Sequence, residues 1–192
     1  METASPDKNY GPVEVFLGLG ANIGDSVSNI LTAFERIKTG VLSNAELSSL
    51  YITEPQDVEK QPDFINAACR GVFSGTAFEL HSGISKIEAG LGRNRSNEQR
   101  RGPRLIDIDI LYFGGMIINS GNEADGEGNW LRIPHERLKN RRFALVPLIE
   151  LSPRLTDPQS GVLYSTINEE LSGQGIYTFD TVRYIKSHGA ES

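Results

Sequence analysis

An α+β sandwich is the fold class this 192-residue sequence predicts, and three observations predict it. Segments that alternate apolar and polar residues are interleaved with segments whose apolar residues recur every third or fourth position. Those segments follow one another in the order β-α-β-β-α-β. A single cysteine, Cys69, excludes an internal disulfide and a Cys-rich zinc site, so a hydrophobic core must hold the chain together.

Residues 1–12 read as a flexible tail closed by Gly11-Pro12. Val13, Val15, Leu17 and Leu19 then alternate, which predicts a strand over 13–20. Asp25 is placed to cap a helix whose apolar positions are Val27, Ile30, Leu31, Phe34 and Ile37. A second strand is expected over 47–53, a loop with Pro55 and Pro62 over 54–63, and a third strand over 64–73. Thr76-Ala-Phe-Glu79 matches a capping box, and Leu80, Ile84, Ile87 and Leu91 continue it as one stripe that Gly90 and Gly92 end. After a loop over 93–104 comes the clearest strand, 105–113. The glycine-rich, acidic stretch 114–129 reads as a mobile excursion. A short strand over 131–134, a helix over 142–150 despite Pro147, and a helix over 166–171 precede a weakly patterned end. The order β-α-β-β-α-β with appended elements predicts a ferredoxin-like sandwich, with helices on one face of a mostly antiparallel sheet. It would form one domain over 13–172, with 173–192 a C-terminal extension.

Nineteen basic residues against 25 acidic ones give a net charge of −6. The chain therefore lacks the overall basic footprint that announces nucleic-acid binding. No apolar run approaches the length of a membrane span, and the polar N-terminus shows no secretory signal. A soluble, cytoplasmic protein without a nucleic-acid or membrane partner is expected. Its oligomeric state is open, and a monomer is compatible with the sequence.

The chemistry concentrates on Arg104-Leu-Ile-Asp-Ile-Asp-Ile-Leu-Tyr112. On a strand Ile106, Ile108 and Ile110 share one face, and Asp107 and Asp109 share the other, with Cα atoms roughly 6.5–7 Å apart. If the isoleucines pack on the helices, two carboxylates project together from the open face. A cation between them would relieve their repulsion, and hard oxygen ligands suit Mg²⁺ completed by substrate phosphates. Such a pair on its own also fits an ordinary polar sheet face. Arg93, Arg95, Arg100, Arg101 and Arg104 lie beside it, and arginine forks bind phosphate oxygens bidentately. A second basic cluster, Arg137, Lys139, Arg141 and Arg142, follows His135. The combination resembles a clamp for a nucleotide triphosphate. Gly18-Leu-Gly20-Ala-Asn-Ile-Gly24 is one residue too long for the dinucleotide fingerprint, and its glycines read as a turn passing close to something.

With these residues in view, the sequence resembles the 6-hydroxymethyl-7,8-dihydropterin pyrophosphokinases of folate biosynthesis over about residues 13–172. The resemblance rests on an ordered set: Leu17-Gly-Leu-Gly-Ala-Asn-Ile-Gly-Asp25, Ser49-Leu-Tyr-Ile-Thr-Glu-Pro55, Gln61-Pro-Asp-Phe-Ile-Asn-Ala67, Ile87-Glu88 with Gly92-Arg93, Gly102-Pro-Arg-Leu-Ile-Asp-Ile-Asp109, Ile133-Pro-His135, and Asn140-Arg-Arg-Phe143. It implies a ferredoxin-like fold and transfer of pyrophosphate from ATP to the pterin hydroxymethyl group, releasing AMP. It further implies that Asp107 and Asp109 hold two Mg²⁺ ions and that Arg93 and Arg104 belong to a catalytic loop. Glu88, Arg93, His135 and Arg141 would serve ATP. Thr53, Pro55, Phe64, Asn66 and Phe143 would hold the pterin between aromatic rings and amide-type partners. Arg101 stands where the family often has an aromatic residue, and Ser85 where it often has glutamine. A nucleic-acid-binding module of the same fold is the rival reading. It would carry stacking aromatics where Asp107 and Asp109 stand.

Overall fold

The computed structural model describes residues 3–55, 61–93, 102–120 and 131–180. The core elements are β1 (Pro12–Ala21), α1 (Ser26–Gly40), β2 (Ser43–Leu47), β3 (Tyr51–Thr53), β4 (Phe64–Ser74), α2 (Ala77–Gly90) and β5 (Asp107–Phe113). They are followed by β6 (Ile118–Ser120), β7 (Leu131–Ile133), a 3-10 turn (Leu138–Asn140), α3 (Arg142–Leu151), α4 (Tyr164–Glu169) and β8 (Tyr177–Thr178). Strands β5, β1, β4, β3 and β8 lie side by side in that order, all antiparallel, with β2 also paired to β4. This is the βαββαβ sandwich the sequence predicts, with strand and helix elements added after it.

Local sequence sets the helix starts. The Asp25 carboxylate accepts from the Ser28 amide at 3.0 Å, and Thr76 and Glu79 exchange side-chain bonds with each other's backbone amides. The buried stripes, Val27, Ile30, Ala33 and Ile37 on α1 and Leu80, Ile84 and Ile87 on α2, join Val15, Leu17, Leu19, Ile108 and Ile110 of the sheet in one core.

The structure departs from the expectations in four places. The strand expected over 47–53 is two strands, because Ser48 turns inward between them: its hydroxyl accepts from the Ala68 amide at 2.9 Å and interrupts the ladder. The second face of the sheet is not open. Phe16, Ala68 and Leu111 point to it and are buried with Leu138, Leu145, Leu148 and Tyr164, so α3 and α4 cover part of it. Within the stretch read as an excursion, Gly114 and Gly115 turn with positive φ into β6, while 121–130 lie outside the described residues. The segments read as tails also make contacts. The Ala4 amide donates to the Ile117 carbonyl at 2.7 Å, and β8 pairs with β3. No helix among the described residues is long and apolar enough to cross a membrane.

Candidate active site

The period-two alternation of β5 buries Ile108 and Ile110 in the core beside α2 and sends Asp107 and Asp109 to the opposite face. There a cleft of about 180 Å³ opens beside the start of α3. Arg104, Asp107, Asp109, His135, Arg137 and Arg141 line its β5 side, and Thr53, Glu54, Pro55, Gln61, Phe64, Asn66 and Phe143 line the side of β3, β4 and α3.

Gly18 and Gly20 form the floor between the two sides. They lie within β1 rather than in a turn, opposite Asp109 and Asp107 on one neighbour and Ala68 and Asn66 on the other. A Cβ on Gly20 would approach Asn66 Oδ1 to 3.3 Å, and one on Gly18 would meet the Leu111 methyl groups at 3.2 Å. The absence of side chains here keeps the cleft deep.

The two carboxylates occupy different environments. Arg93 donates to Asp107 Oδ1 at 2.6 Å, and Arg104 pairs with Oδ2 of the same carboxylate. Burial pushes Asp107 up, but the Arg104 and Arg93 guanidiniums outweigh it and hold the acid below the usual carboxylate range. Asp109 is pushed up to about 6, first by burial and then by the neighbouring Asp107 charge. His135 is drawn down to about 4 by burial and by Arg141 and Arg137. Its Nδ1 accepts from the Arg137 amide at 3.1 Å, so the neutral ring carries its proton on Nε2, 3.9 Å from Asp109 Oδ2. The cleft thus holds a carboxylate kept ionised, a second one that exchanges its proton near pH 6, and a neutral imidazole donor.

Backbone contacts fix these groups. The Arg104 amide donates to Asn22 Oδ1 at 2.7 Å, and the Arg104 carbonyl accepts from the Asn22 and Ile23 amides. On the other side Asn66 Nδ2 donates to Thr53 Oγ1 at 2.9 Å with both residues buried. The Arg141 guanidinium lies 5.4 Å from the centre of the Phe143 ring.

Ten of the expected site residues therefore meet in one cleft: Thr53, Pro55, Phe64, Asn66, Arg104, Asp107, Asp109, His135, Arg141 and Phe143. Glu88 and Arg93 do not line it. Glu88 is 1% exposed beneath β5, where its carboxylate accepts from the Ile108 amide at 2.9 Å and pairs with Arg93. Of the second basic cluster, Arg137 and Arg141 reach the cleft. Lys139 pairs instead with Asp157 at 3.1 Å, and Arg142 Nη1 donates to the Gln174 carbonyl at 2.8 Å. Arg95, Arg100 and Arg101 lie outside the described residues. Gln61 and the floor glycines, which as sequence read only as loop and turn residues, also line the cleft, and the motifs that carry the family resemblance are the signal that points to them.

The donor set at Asp107 and Asp109 fits Mg²⁺. Two hard carboxylates line one space, and a divalent cation between them would offset their mutual repulsion. Among the described residues no group of three or more His, Cys, Asp or Glu could hold an ion. The remaining positions would fall to ligand oxygens and water, as Mg²⁺ prefers.

Residues 16–153 match the family described as 7,8-dihydro-6-hydroxymethylpterin-pyrophosphokinase (HPPK). The mitochondrial folate synthesis bifunctional protein of Arabidopsis thaliana is 42% identical over 72% of this chain, which spans 23% of that relative's length. The 2-amino-4-hydroxy-6-hydroxymethyldihydropteridine pyrophosphokinases of Aquifex aeolicus and Haemophilus influenzae are 34% and 32% identical. The matches cover 75% and 82% of this chain and 83% and 92% of those relatives. Plasmodium falciparum HPPK-DHPS shares the fold at a TM-score of 0.65 and 14% identity, over 95% of this chain and 47% of that one. The chain spans about a quarter of the length of the bifunctional relatives it matches and most of the two bacterial ones. By sequence, the chain belongs to the 7,8-dihydro-6-hydroxymethylpterin-pyrophosphokinase family.

Proposed function

We propose that the chain transfers pyrophosphate from ATP to the hydroxymethyl group of 6-hydroxymethyl-7,8-dihydropterin, yielding the pterin diphosphate and AMP. The observation that carries the proposal is the continuity of the cleft. It joins a carboxylate pair ringed by cationic groups to an amide and two aromatic rings across a glycine floor.

In this reading Phe64 and Phe143 offer ring faces to the flat pterin, with Pro55 beside them, and the bonded pair Thr53–Asn66 supplies its polar contacts. The hydroxymethyl oxygen attacks the β-phosphorus, the bond from that phosphorus to the α-phosphate oxygen breaks, and AMP leaves. The proton of the hydroxyl passes to an Asp109 carboxylate oxygen and then to solvent. Asp107 and Asp109 would hold Mg²⁺, two ions in this proposal, which would supply neutralisation of the triphosphate charge. Arg104, His135 as a neutral Nε2–H donor, and Arg141 contact phosphate oxygens, and Arg93 acts from behind Asp107 while Glu88 anchors it. A cytoplasmic setting, small-molecule substrates alone and a monomeric chain belong to the same proposal.

The test is the nucleotide product formed from ATP, Mg²⁺ and the pterin. AMP that depends on both pterin and metal, matched by a diphosphorylated pterin, supports the reading. ADP would mean transfer of a single phosphoryl group and overturn it.

The glycine floor gives a second expectation. Gly20→Val puts a branched side chain toward Asn66 and should weaken pterin binding by about tenfold or more, the worth of a misplaced methylene or two in a pocket. ATP binding measured in the same titration should change far less. Equal loss for both ligands would remove Gly20 from the pterin side.

A further inference from the structure

We propose that Gln174 is a positioning residue for Arg141: its side-chain amide bonds both peptide groups that flank Arg141 and so fixes how the guanidinium enters the cleft. The proposal rests on reading Arg141 as a phosphate contact.

Arg141 lies between the 3-10 turn and α3 with extended backbone, φ −128° and ψ 98°. In an extended residue the preceding carbonyl and the following amide point to the same side, where a neighbouring strand would normally bond both. Here a side chain takes the strand's place. Gln174 Nε2 donates to the Asn140 carbonyl at 2.9 Å, and the Arg142 amide donates to Gln174 Oε1 at 2.9 Å. The Arg142 amide is one of the orphan donors at the start of α3, and no side chain of Arg141 caps it. Gln174 therefore completes the helix start and locks the backbone on both sides of Arg141.

Gln174 is itself held. Its carbonyl accepts from Arg142 Nη1 at 2.8 Å and its amide donates to the Leu171 carbonyl at 3.0 Å. Three residues on, Tyr177–Thr178 pair with β3, and the Phe179 amide donates to the Leu50 carbonyl at 2.7 Å. Because β3 carries Thr53, the C-terminal segment ties the phosphate corner of the cleft to its pterin edge. A chain ending before Gln174 would keep the motif residues and lose this bridge.

The test uses the full-length chain and two readouts. The first is amide exchange at Arg142 in the free protein, which Gln174→Ala should accelerate relative to wild type. The second is calorimetric binding of α,β-methylene ATP with Mg²⁺ to wild type, Gln174→Ala, Arg141→Ala and the double variant. Gln174→Ala should weaken the nucleotide by about tenfold, the worth of one or two hydrogen bonds, and should add nothing once Arg141 is gone. Gln174→Glu keeps the acceptor for Arg142 but not the donor to Asn140, so it should bind more tightly than the alanine variant. An unchanged Arg142 exchange rate overturns the clamp. Equal losses in the presence and absence of Arg141 overturn the positioning role and leave only a structural one. A wild-type chain that binds no nucleotide overturns the proposed function, and the exchange measurement still decides the clamp.

Discussion

Replacing Asp109 with asparagine is expected to lower kcat by ~10²–10⁴-fold, the usual worth of a positioned general base. The dissociation constant for the pterin should stay close to that of wild type. In the proposed reading pterin affinity resides with Phe64, Phe143, Thr53 and Asn66, which the substitution leaves in place. The Asp109 carboxylate must be ionised to hold Mg²⁺, so in the protein free of metal and nucleotide Mg²⁺ affinity should rise with pH through about 6 and level off above it. His135, drawn down to about 4, is already neutral there and adds no step of its own. The asparagine variant should lose the rise. If its rate returns when Mg²⁺ is raised, Asp109 serves to hold the cation and the proton goes elsewhere; an unchanged kcat removes Asp109 from the chemistry.

The same carboxylate has a cost in stability whose sign is fixed. Its folded pKa lies above the ordinary value of 3.8, so folding takes up a proton between about pH 4 and 6. The ionised side chain therefore destabilises the fold as pH rises through that window, and the loss persists above it. Asp109→Asn should melt slightly higher at pH 7, by roughly 1 kcal/mol after allowance for solvent screening of a side chain that is 39% exposed. Slower chemistry in a firmer fold is the signature of a charge kept for function.

What could be read from sequence follows from which patterns are local. Period two in Asp107–Phe113 decides at once that isoleucines go inward and aspartates outward, because both facts are one geometric fact. Asp25 and the Thr76–Glu79 box act within one turn of chain, and both caps form as read. The missed features depend on partners distant in sequence. Gly18 and Gly20 look like turn glycines until β4 and β5 flank them, and then they become the cleft floor. Ser48 breaks a strand only because the Ala68 amide is opposite. The apolar residues of α3 announce a buried helix but not which sheet face it covers, so sequence alone leaves the second face open. Two residues of β8 on an exposed edge, with Tyr177 67% accessible, leave no alternation to detect. Glu88 sits beside an apolar stripe where a carboxylate signals solvent, yet Arg93 and the Ile108 amide make its burial tolerable.

Glu88→Leu should destabilise the chain by roughly 3 kcal/mol, the low end for breaking a buried ion pair, because Arg93 keeps Asp107 when Glu88 is lost. For a domain of this size that is a fall of roughly 6–12 °C in Tm. The apolar replacement does not rescue, since it removes one partner only. The Ile108 amide loses its acceptor, and a guanidinium that is 7% exposed keeps a single counter-charge. Glu88→Gln retains an acceptor for Ile108 and should lose about half as much stability, while turnover falls because Arg93 is no longer held from behind. That fall should vanish in an Arg93→Ala background, since the two residues act as one unit. The position of Glu88 near the C-terminus of α2, where the helix dipole disfavours a carboxylate, makes Arg93 the reason it is tolerated there. The contrary result is informative about ATP. If Glu88→Gln melts like wild type and instead weakens the nucleotide, the carboxylate turns toward ATP in the working enzyme, as the family resemblance implies, and its pairing with Arg93 is given up on binding.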